Sequence, residues 1–290
     1  MLLRLFPGLV LMLALAPAVR ADDAAKAADE YARGQALLKA SDFNGALAAY
    51  TAAVKADPAN ETYRHEHALL RRVVPLRAKL LKQRDAEKWQ ALAAALRSYY
   101  ADHGLLEEVL RLDEEAYARS GDADTAAMLA DTQIRMGRDA AAVETLGGLK
   151  ADEQTAQTRT QMGIALAHAG RTDEARAIAS GLADDKAGPG LLYDMARLNS
   201  LVADNAKALA QLTRCFELTR PSRLAAFKEY TKADKDMSGL VAQADFANVL
   251  ATESKLKESD CSGGTSCAKC PSRDKCAGSS GAKTAAKDTK

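Results

Sequence analysis

The sequence predicts an all-α protein built from repeated pairs of helices. Alanine accounts for 62 of the 290 residues, whereas the chain has only five Phe and one Trp. Alanine is the strongest helix former, and aromatic and β-branched residues favour strands, so this composition excludes a large β-sheet. The second observation is that turn residues recur at equal intervals along the chain, which indicates a series of helical hairpins.

Residues 1–21 have the layout of a secretory signal peptide. Arg4 precedes an apolar run from Leu5 to Ala16, and small residues lead to Ala21. This run is shorter than the ~20 apolar residues that span a bilayer, and Pro17 beside the small residues favours cleavage. We expect cleavage after Ala21, with Ala18 as the second candidate. The mature protein is therefore expected to be periplasmic or secreted and to have no membrane span.

Residues 31–60 read as the first helical hairpin. Two helical patterns meet at Ser41-Asp42, and Asp57-Pro58 ends the second one. The residues that define its pattern are Gly34, Phe43, Ala46, Tyr50, Ala53 and Pro58. Through them the hairpin resembles a tetratricopeptide repeat (TPR), in which two antiparallel helices recur with a period of ~34 residues and small residues let them pack closely.

Later hairpins keep the same register. The turn between the two helices falls on Gly104, Gly137, Gly170 and Ala203. The closely packed position of the second helix falls on Ala46, Val109, Ala142, Ala175 and Ala208, and a core position seven residues further on falls on Ala53, Ala116, Leu149, Leu182 and Cys215. The small position of the first helix is Gly34, Ala130, Gly163 or Ala196, but one repeat places Arg97 there. That repeat is therefore expected to be degenerate or to contain a small insertion.

Two segments depart from the simple repeat. Residues 61–86 are highly charged and contain Pro75, which lacks a backbone donor and clashes with the preceding turn. We expect an atypical helical hairpin or a long kinked helix there. Residues 226–250 resemble the closing segment of some bacterial TPR proteins, through Asp234-Lys235-Asp236, Leu240, Phe246 and Leu250. Lys235 stands where that family often has proline.

The resemblance covers about residues 24–250 and implies an exported bacterial TPR protein. Residues 22–250 are then expected to fold as a right-handed superhelical solenoid of stacked antiparallel helix pairs. The resemblance also implies a non-enzymatic protein that binds a protein or peptide partner in a concave groove lined by the first helices. Carried over by register, the groove candidates are Tyr31, Gln35, Asp131, Arg135, His168, Tyr193 and Arg197. They mix charge signs, and no run of Lys, Arg or Asn resembles the groove that clamps a carboxylate-ended peptide.

Neither charge nor motifs indicate another function for the repeats. The formal net charge is +1, which gives no reason to expect a nucleic-acid partner. The sequence has no G-x-S-x-G, HExxH, Walker or dinucleotide-binding motif. His65 and His67 are two residues apart on a predicted helix, so they point to different faces and do not readily share a metal.

Residues 251–290 are predicted to form a flexible, disordered, cysteine-rich tail. From residue 261 onward the tail carries six cations and two anions and almost no large apolar residue, so it cannot offset the entropy of ordering. Four of its residues are cysteines with the spacing C-x5-C-x2-C-x5-C, namely Cys261, Cys267, Cys270 and Cys276. Cys215 differs from these four because it occupies a repeat core position, and we expect it to be a buried, inert thiol.

Three roles remain open for the tail cysteines. In an oxidising compartment they would form two disulfides, with three possible connectivities. Four thiolates could instead bind zinc, copper or an iron–sulfur cluster, and Cys267 with Cys270 could form a redox-active pair. The sequence thus carries two hypotheses. The first is an exported TPR scaffold for a protein or peptide. The alternative is a metal-handling or thiol-redox protein that acts through the tail and uses the repeats as a docking arm.

Overall fold

A computed structural model describes residues 21–257 of the chain. The predicted signal peptide and the four tail cysteines lie outside the described residues. Within residues 21–257 the regular structure is helical throughout, with no strand, and the fold is the predicted all-α array of antiparallel helix pairs. No helix in this range is both long and apolar enough to cross a membrane. The chain divides into two compact units, with the boundary between Gly121 and Asp122.

Unit 1 contains the first five helices and a core of large side chains. Its helices are α1 (Ala21–Lys39), α2 (Phe43–Ala56), α3 (Glu61–Lys82), α4 (Ala86–Asp102) and α5 (Leu106–Ser120). Trp89, Tyr50, Tyr100 and Leu70 are almost completely buried in one cluster. Each consecutive pair of helices from α1 to α5 is in contact.

Unit 2 contains three shorter helix pairs and a closing segment. The pairs are α6 (Ala123–Arg135) with α7 (Asp139–Gly147), α8 (Ala156–His168) with α9 (Thr172–Ser180), and α10 (Pro189–Leu201) with α11 (Asn205–Glu217). The closing segment consists of α12 (Pro221–Ala233), a 3-10 turn (Lys235–Met237), α13 (Ser238–Val241) and α14 (Phe246–Leu250). The first helices of the three pairs pack side by side, because α8 contacts both α6 and α10.

The predicted turns share one backbone geometry. Gly104, Gly137, Gly170 and Ala203 all have left-handed φ angles, between 64° and 76°, and Ser41 in the first hairpin has a φ of 61°. In each turn the next amide donates to the carbonyl five residues earlier, as in Leu105 N–H to Tyr100 O at 2.8 Å and Asp204 N–H to Asn199 O at 2.8 Å. These are the bonds of a Schellman motif, which ends a helix by satisfying its last carbonyls. The regular spacing in the sequence is thus the recurrence of one helix-ending turn.

The predicted packing register is also confirmed. The closely packed position of the second helix is completely buried in all five hairpins, at Ala46, Val109, Ala142, Ala175 and Ala208. The first-helix position is small for a visible reason: a Cβ on Gly34 would overlap the ring of Tyr50, and one on Gly163 would overlap Leu198. Interiors are close-packed, so residues of this size are needed where the helices approach.

The degenerate repeat replaces this small-large contact with an ion pair. Arg97 occupies the register position of Gly34, and Asp113 occupies that of Tyr50. The Arg97 guanidinium donates from Nε to Asp113 Oδ1 at 2.7 Å and from Nη2 to Oδ2 at 3.0 Å. The Asp113 side chain is only 1% exposed, so this two-pronged contact is what makes its burial tolerable.

Of the two structures considered for residues 61–86, the chain adopts the long helix. Helix α3 has 22 residues and continues through Pro75 to Lys82, and α4 begins at Ala86. Proline removes one hydrogen bond from a helix, but Leu70, Val73 and Leu80 anchor α3 in the core on both sides of Pro75. Tertiary packing therefore outweighs the helix-breaking tendency of proline here.

The end of the described chain stays attached to unit 2. The backbone N–H of Lys255 donates to Glu217 O at 2.8 Å, and its ammonium lies 2.7 Å from the Glu217 carboxylate. Lys228 Nζ donates to Thr252 O at 2.6 Å. Residues 251–255, which the sequence assigns to the flexible tail, are therefore fixed by main-chain and charged contacts that composition does not reveal.

Candidate functional site

In unit 1 the two predicted groove residues, Tyr31 and Gln35, lie together on α1. The ring of Tyr31 stacks on Tyr50, with centroids 5.3 Å apart, and packs against Tyr63 at 4.7 Å. Gln35 makes a side-chain hydrogen bond to Tyr31. Burial, the negative charge of Glu66 and the neighbouring Tyr63 raise the pKa of the Tyr31 phenol and outweigh this hydrogen bond, so it stays neutral. Tyr50, Tyr31 and Tyr63 thus form a row of packed tyrosine rings in unit 1.

A concave cavity of about 280 Å³ opens beside this row. Tyr31 and Gln35 both line it, together with Lys39 and with Glu66 of α3. His103 closes the far side: its Nε2 lies 3.0 Å from Glu66 Oε2, and its Nδ1 hydrogen-bonds Tyr99 O at 2.8 Å. The cavity thus combines aromatic faces with groups of both charges, which is suited to a mixed peptide surface.

In unit 2, three of the five predicted groove residues meet on one short segment, the acidic turn (residues 234–236). The Tyr193 hydroxyl donates to Asp234 Oδ2 at 2.7 Å. Arg197 donates to Asp236 Oδ2 from Nη2 at 2.6 Å and from Nε at 3.1 Å. His168 Nε2 lies 2.9 Å from the other carboxylate oxygen, Asp236 Oδ1. First helices α8 and α10 therefore bind the acidic turn with their side chains.

The main chain of the acidic turn is held as well. Ser200 Oγ donates to Asp236 O at 2.7 Å. Asp234 Oδ1 accepts from the Asp236 amide at 3.0 Å, so the turn is closed by its own first side chain. Lys235, between the two aspartates, is exposed. The two carboxylates consequently face the groove while the middle residue faces solvent.

Electrostatics stabilise the ionised forms of three groups in this cluster, His168, Asp236 and Arg197. His168 lies between Asp236 and Asp139, and its Nδ1 is 3.0 Å from Asp139 Oδ1. The contacts with both aspartates raise the pKa of the imidazole despite its partial burial. Burial opposes the ionisation of Asp236, but the hydrogen bond from His168 and the charge of Arg197 outweigh it and lower the pKa of the carboxyl. Burial likewise opposes the charge of Arg197, but Asp236 and Asp194 outweigh it and raise the pKa of the guanidinium.

The remaining two groove candidates, Asp131 and Arg135, lie one turn apart on α6. Their side chains are more than 40% exposed and form an i,i+4 ion pair at 4.0 Å, a type of contact that contributes little to stability. Both influence the pKa of Tyr230, which is 61% exposed and whose ring lies 5.9 Å from that of Tyr193. This part of the groove stays open to solvent beside the acidic turn.

Cys215 is buried, as its register position predicts. It is completely buried, its thiol donates to Pro189 O at 3.1 Å, and burial raises its pKa to about 12. Such a thiol is unreactive at neutral pH because it is not ionised. Among residues 21–257, no group of three or more His, Cys, Asp and Glu side chains is arranged to hold a metal ion. The predicted metal or disulfide residues Cys261, Cys267, Cys270 and Cys276 lie outside this range.

Sequence reasoning identified the acidic turn and its groove partners but not their contact. Asp234 and Asp236 stood out as part of a closing segment, while Tyr193 and Arg197 stood out by register. The contacting pairs are separated by 41 and 39 positions in the sequence, so no local pattern joins them. The sequence does contain the complementary groups of this contact, namely two carboxylates in a fixed pattern and a first helix that presents an arginine and a tyrosine one turn apart.

Comparisons with known proteins give structural neighbours only. No known protein-family model and no curated protein matches the chain. A tetratricopeptide repeat protein from Parabacteroides merdae is similar at 17% identity over 78% of this chain and 98% of its own, with a TM-score of 0.38. A thermophilic TPR protein of Thermus thermophilus is similar at 18% identity over 71% of this chain and 98% of its own, with a TM-score of 0.41. On its own turn geometry and buried register, residues 21–257 have the architecture of a tetratricopeptide-type helical repeat protein.

Proposed function

We propose that the protein is an exported, non-enzymatic scaffold that binds a protein or peptide partner on the face formed by the first helices of its hairpins. The mature chain begins at Asp22 in this proposal, and it works in the periplasm or outside the cell. N-terminal sequencing of the protein recovered from the exported fraction tests this part. An N terminus still at Met1, or recovery only from the cytoplasm, would contradict it.

The observation that carries the binding proposal is the way unit 2 holds its acidic turn. His168, Tyr193 and Arg197, which come from two neighbouring first helices, bind a short peptide segment through its side chains. The groove therefore has the chemistry of a peptide-binding surface. Unit 1 presents the equivalent face, with Tyr31 and Gln35, around an open cavity.

Photo-crosslinking from single positions tests which face the partner uses. A photoreactive amino acid is placed at Gln35 on the first helix of unit 1, or at Arg135 on a first helix of unit 2. The matched controls are Lys55 and Glu144, which are exposed on second helices of the same units. We expect crosslinks to an exported protein from a first-helix position and none from its control. Equal crosslinking from all four positions, or crosslinking from the controls alone, would refute binding on this face.

The spacing of the tail cysteines supports the second candidate function, in which the protein handles metal ions or exchanges disulfides through its tail. Four cysteines fall between positions 261 and 276, enough for one four-thiolate site or two disulfides. Mass spectrometry of the non-reduced mature protein distinguishes these states. Bound zinc, copper or iron that is lost on Cys267→Ser and Cys270→Ser would support metal handling. Two intact disulfides without metal would exclude it, and resistance of both bonds to a physiological thiol reductant would exclude the redox role.

A further inference from the structure

Both carboxylates of the acidic turn are bound by side chains of the groove. Both carboxylate oxygens of Asp236 are used, one by His168 and the other by Arg197. Asp234 binds Tyr193 and lies 3.5 Å from Nε of Arg197. The side chains of Asp234 and Asp236 are only 11% and 12% exposed, so these charges are bound rather than solvated.

The residue after the acidic turn adds an apolar anchor. Met237 is completely buried, and Leu240 three residues later is also completely buried. The 3-10 turn aims both aspartates at α8 and α10 and leaves Lys235 exposed. The recognised pattern is therefore Asp, any residue, Asp and then an apolar residue.

We propose that the groove of unit 2 is a binding site for acidic peptide segments with this Asp-x-Asp-apolar pattern, and that the acidic turn is its tethered occupant. The inference rests on the proposed function, because it specifies the partner as a protein that carries such a segment. The geometry of recognition supports it: Arg197 and His168 each bind a different oxygen of Asp236, and these two groups are held in place by Asp194 at 3.3 Å and Asp139 at 3.0 Å. The open part of the groove, at Arg135 and Tyr230, gives such a segment room to extend.

A tethered occupant competes strongly. A segment attached to its own site has an effective concentration on the order of millimolar, so a partner segment with the same contacts binds the intact protein weakly. Binding should become measurable when the chain's own carboxylates are removed. Asp234→Asn/Asp236→Asn does this with almost no change of shape, and it keeps the groove side chains His168, Tyr193 and Arg197 unchanged.

The test uses a fluorescent peptide with the sequence of residues 230–240, YTKADKDMSGL, and a matched peptide with asparagine at both aspartate positions. We expect the Asp234→Asn/Asp236→Asn protein to bind the aspartate peptide at least tenfold more tightly than the natural protein does, as measured by fluorescence anisotropy at low salt. The asparagine peptide should show no such gain. Adding Arg197→Gln to the double variant should abolish the gain. Equal affinity for the two peptides, or a gain that survives Arg197→Gln, would overturn the proposal.

Hydrogen exchange on the natural protein gives a second readout that needs no variant. Millimolar aspartate peptide should speed amide exchange in residues 231–241, because it displaces the acidic turn, whereas the asparagine peptide should not. Unchanged exchange with both peptides would also overturn the proposal. These results separate the two proposals: crosslinks from Arg135 without any effect of the aspartate peptide would leave the scaffold function standing and reject the acidic pattern alone.

Discussion

Ala203 occupies a position that four other turns fill with glycine or serine, and its backbone is strained there. Its φ is 64°, in the left-handed region, while Gly170 takes a φ of 76° at the same point of the preceding hairpin. Replacing Ala203 by glycine should stabilise unit 2, and replacing Gly170 by alanine should destabilise it. The two substitutions are opposite changes at equivalent positions of one unit.

The magnitude follows from backbone conformation alone. A left-handed conformation costs a residue with a Cβ ~1–2 kcal/mol. Glycine loses more chain entropy on folding, about 0.5–1 kcal/mol, which opposes part of the gain. A Cβ on Gly170 would meet no atom within 4 Å, so steric overlap adds nothing there. We therefore expect Ala203→Gly to raise the free energy of unfolding by about 0.5–1 kcal/mol and Gly170→Ala to lower it by a similar amount.

Urea unfolding followed by two signals tests this prediction. Far-UV circular dichroism reports both units, whereas fluorescence of Trp89, the single tryptophan, reports unit 1. A change of this size shifts the midpoint of unit 2 by roughly 0.3–0.5 M urea, with the slope unchanged. The Trp89 transition serves as the internal control.

An unchanged or lower midpoint for Ala203→Gly would refute the predicted strain at this turn. A neutral Gly170→Ala would refute it as well, because the left-handed geometry would then carry no cost in this turn. A shift of the Trp89 transition comparable to that of the circular dichroism would mean that the effect is not local to unit 2.

Three further predictions concern charged groups. Asp113→Ala should destabilise unit 1 by ~3 kcal/mol because it removes the buried carboxylate that pairs with the Arg97 guanidinium. In urea unfolding followed by Trp89 fluorescence, the double variant with Arg97→Ala should lose less stability than the sum of the two single variants. Because the pKa of His168 is raised in the folded protein, its contribution to stability is complete below the ordinary histidine pKa of ~6.5 and is lost as the pH rises through the raised pKa. The pKa of Asp236 is lowered, so the contribution of this carboxylate is lost only when the pH falls through the lowered pKa. His168, which faces Asp139 and Asp236, should therefore cause unit 2 to lose stability with rising pH in thermal melts; His168→Gln should remove this loss, and an unchanged pH profile would contradict the assignment. Lys235→Pro should stabilise unit 2 by ~0.4–1 kcal/mol, because proline restricts the unfolded chain. Proline fits this position because Lys235 is the first residue of a 3-10 helix and Asp234 before it is already extended, at φ −70° and ψ 121°. A lower melting temperature would show that the Lys235 amide is needed.

The repeat could be predicted because the spacing of its turn residues and buried positions is a local pattern in the sequence. The spacing alone placed an inter-helix turn at Ala203, and the structure confirms it. The left-handed backbone there, which alanine seldom adopts, is seen only in the structure. The same register found the buried positions of the second helices. It could not show how Arg97 fits a position reserved for small residues, because the compensating Asp113 lies 16 residues away on the next helix.

The site was predictable only in part. Register named Tyr193 and Arg197 as groove candidates, but the aspartates that they contact come from another part of the chain. The contact between His168 and Asp236 spans 68 residues and depends on where α12 returns the chain. Helix patterns carry no information about such a return, so the occupant of the groove emerges only from the three-dimensional structure.

Helix α14 has a consequence for how large an assembly this chain can build. The last pair of a stacked array offers an apolar side that fits one more pair, whether from the same chain or from another copy. In unit 2 this side belongs to α11, and α14 packs against it and buries Phe246 and Val249. The closing segment therefore occupies part of the side of α11 on which a further helix pair would stack.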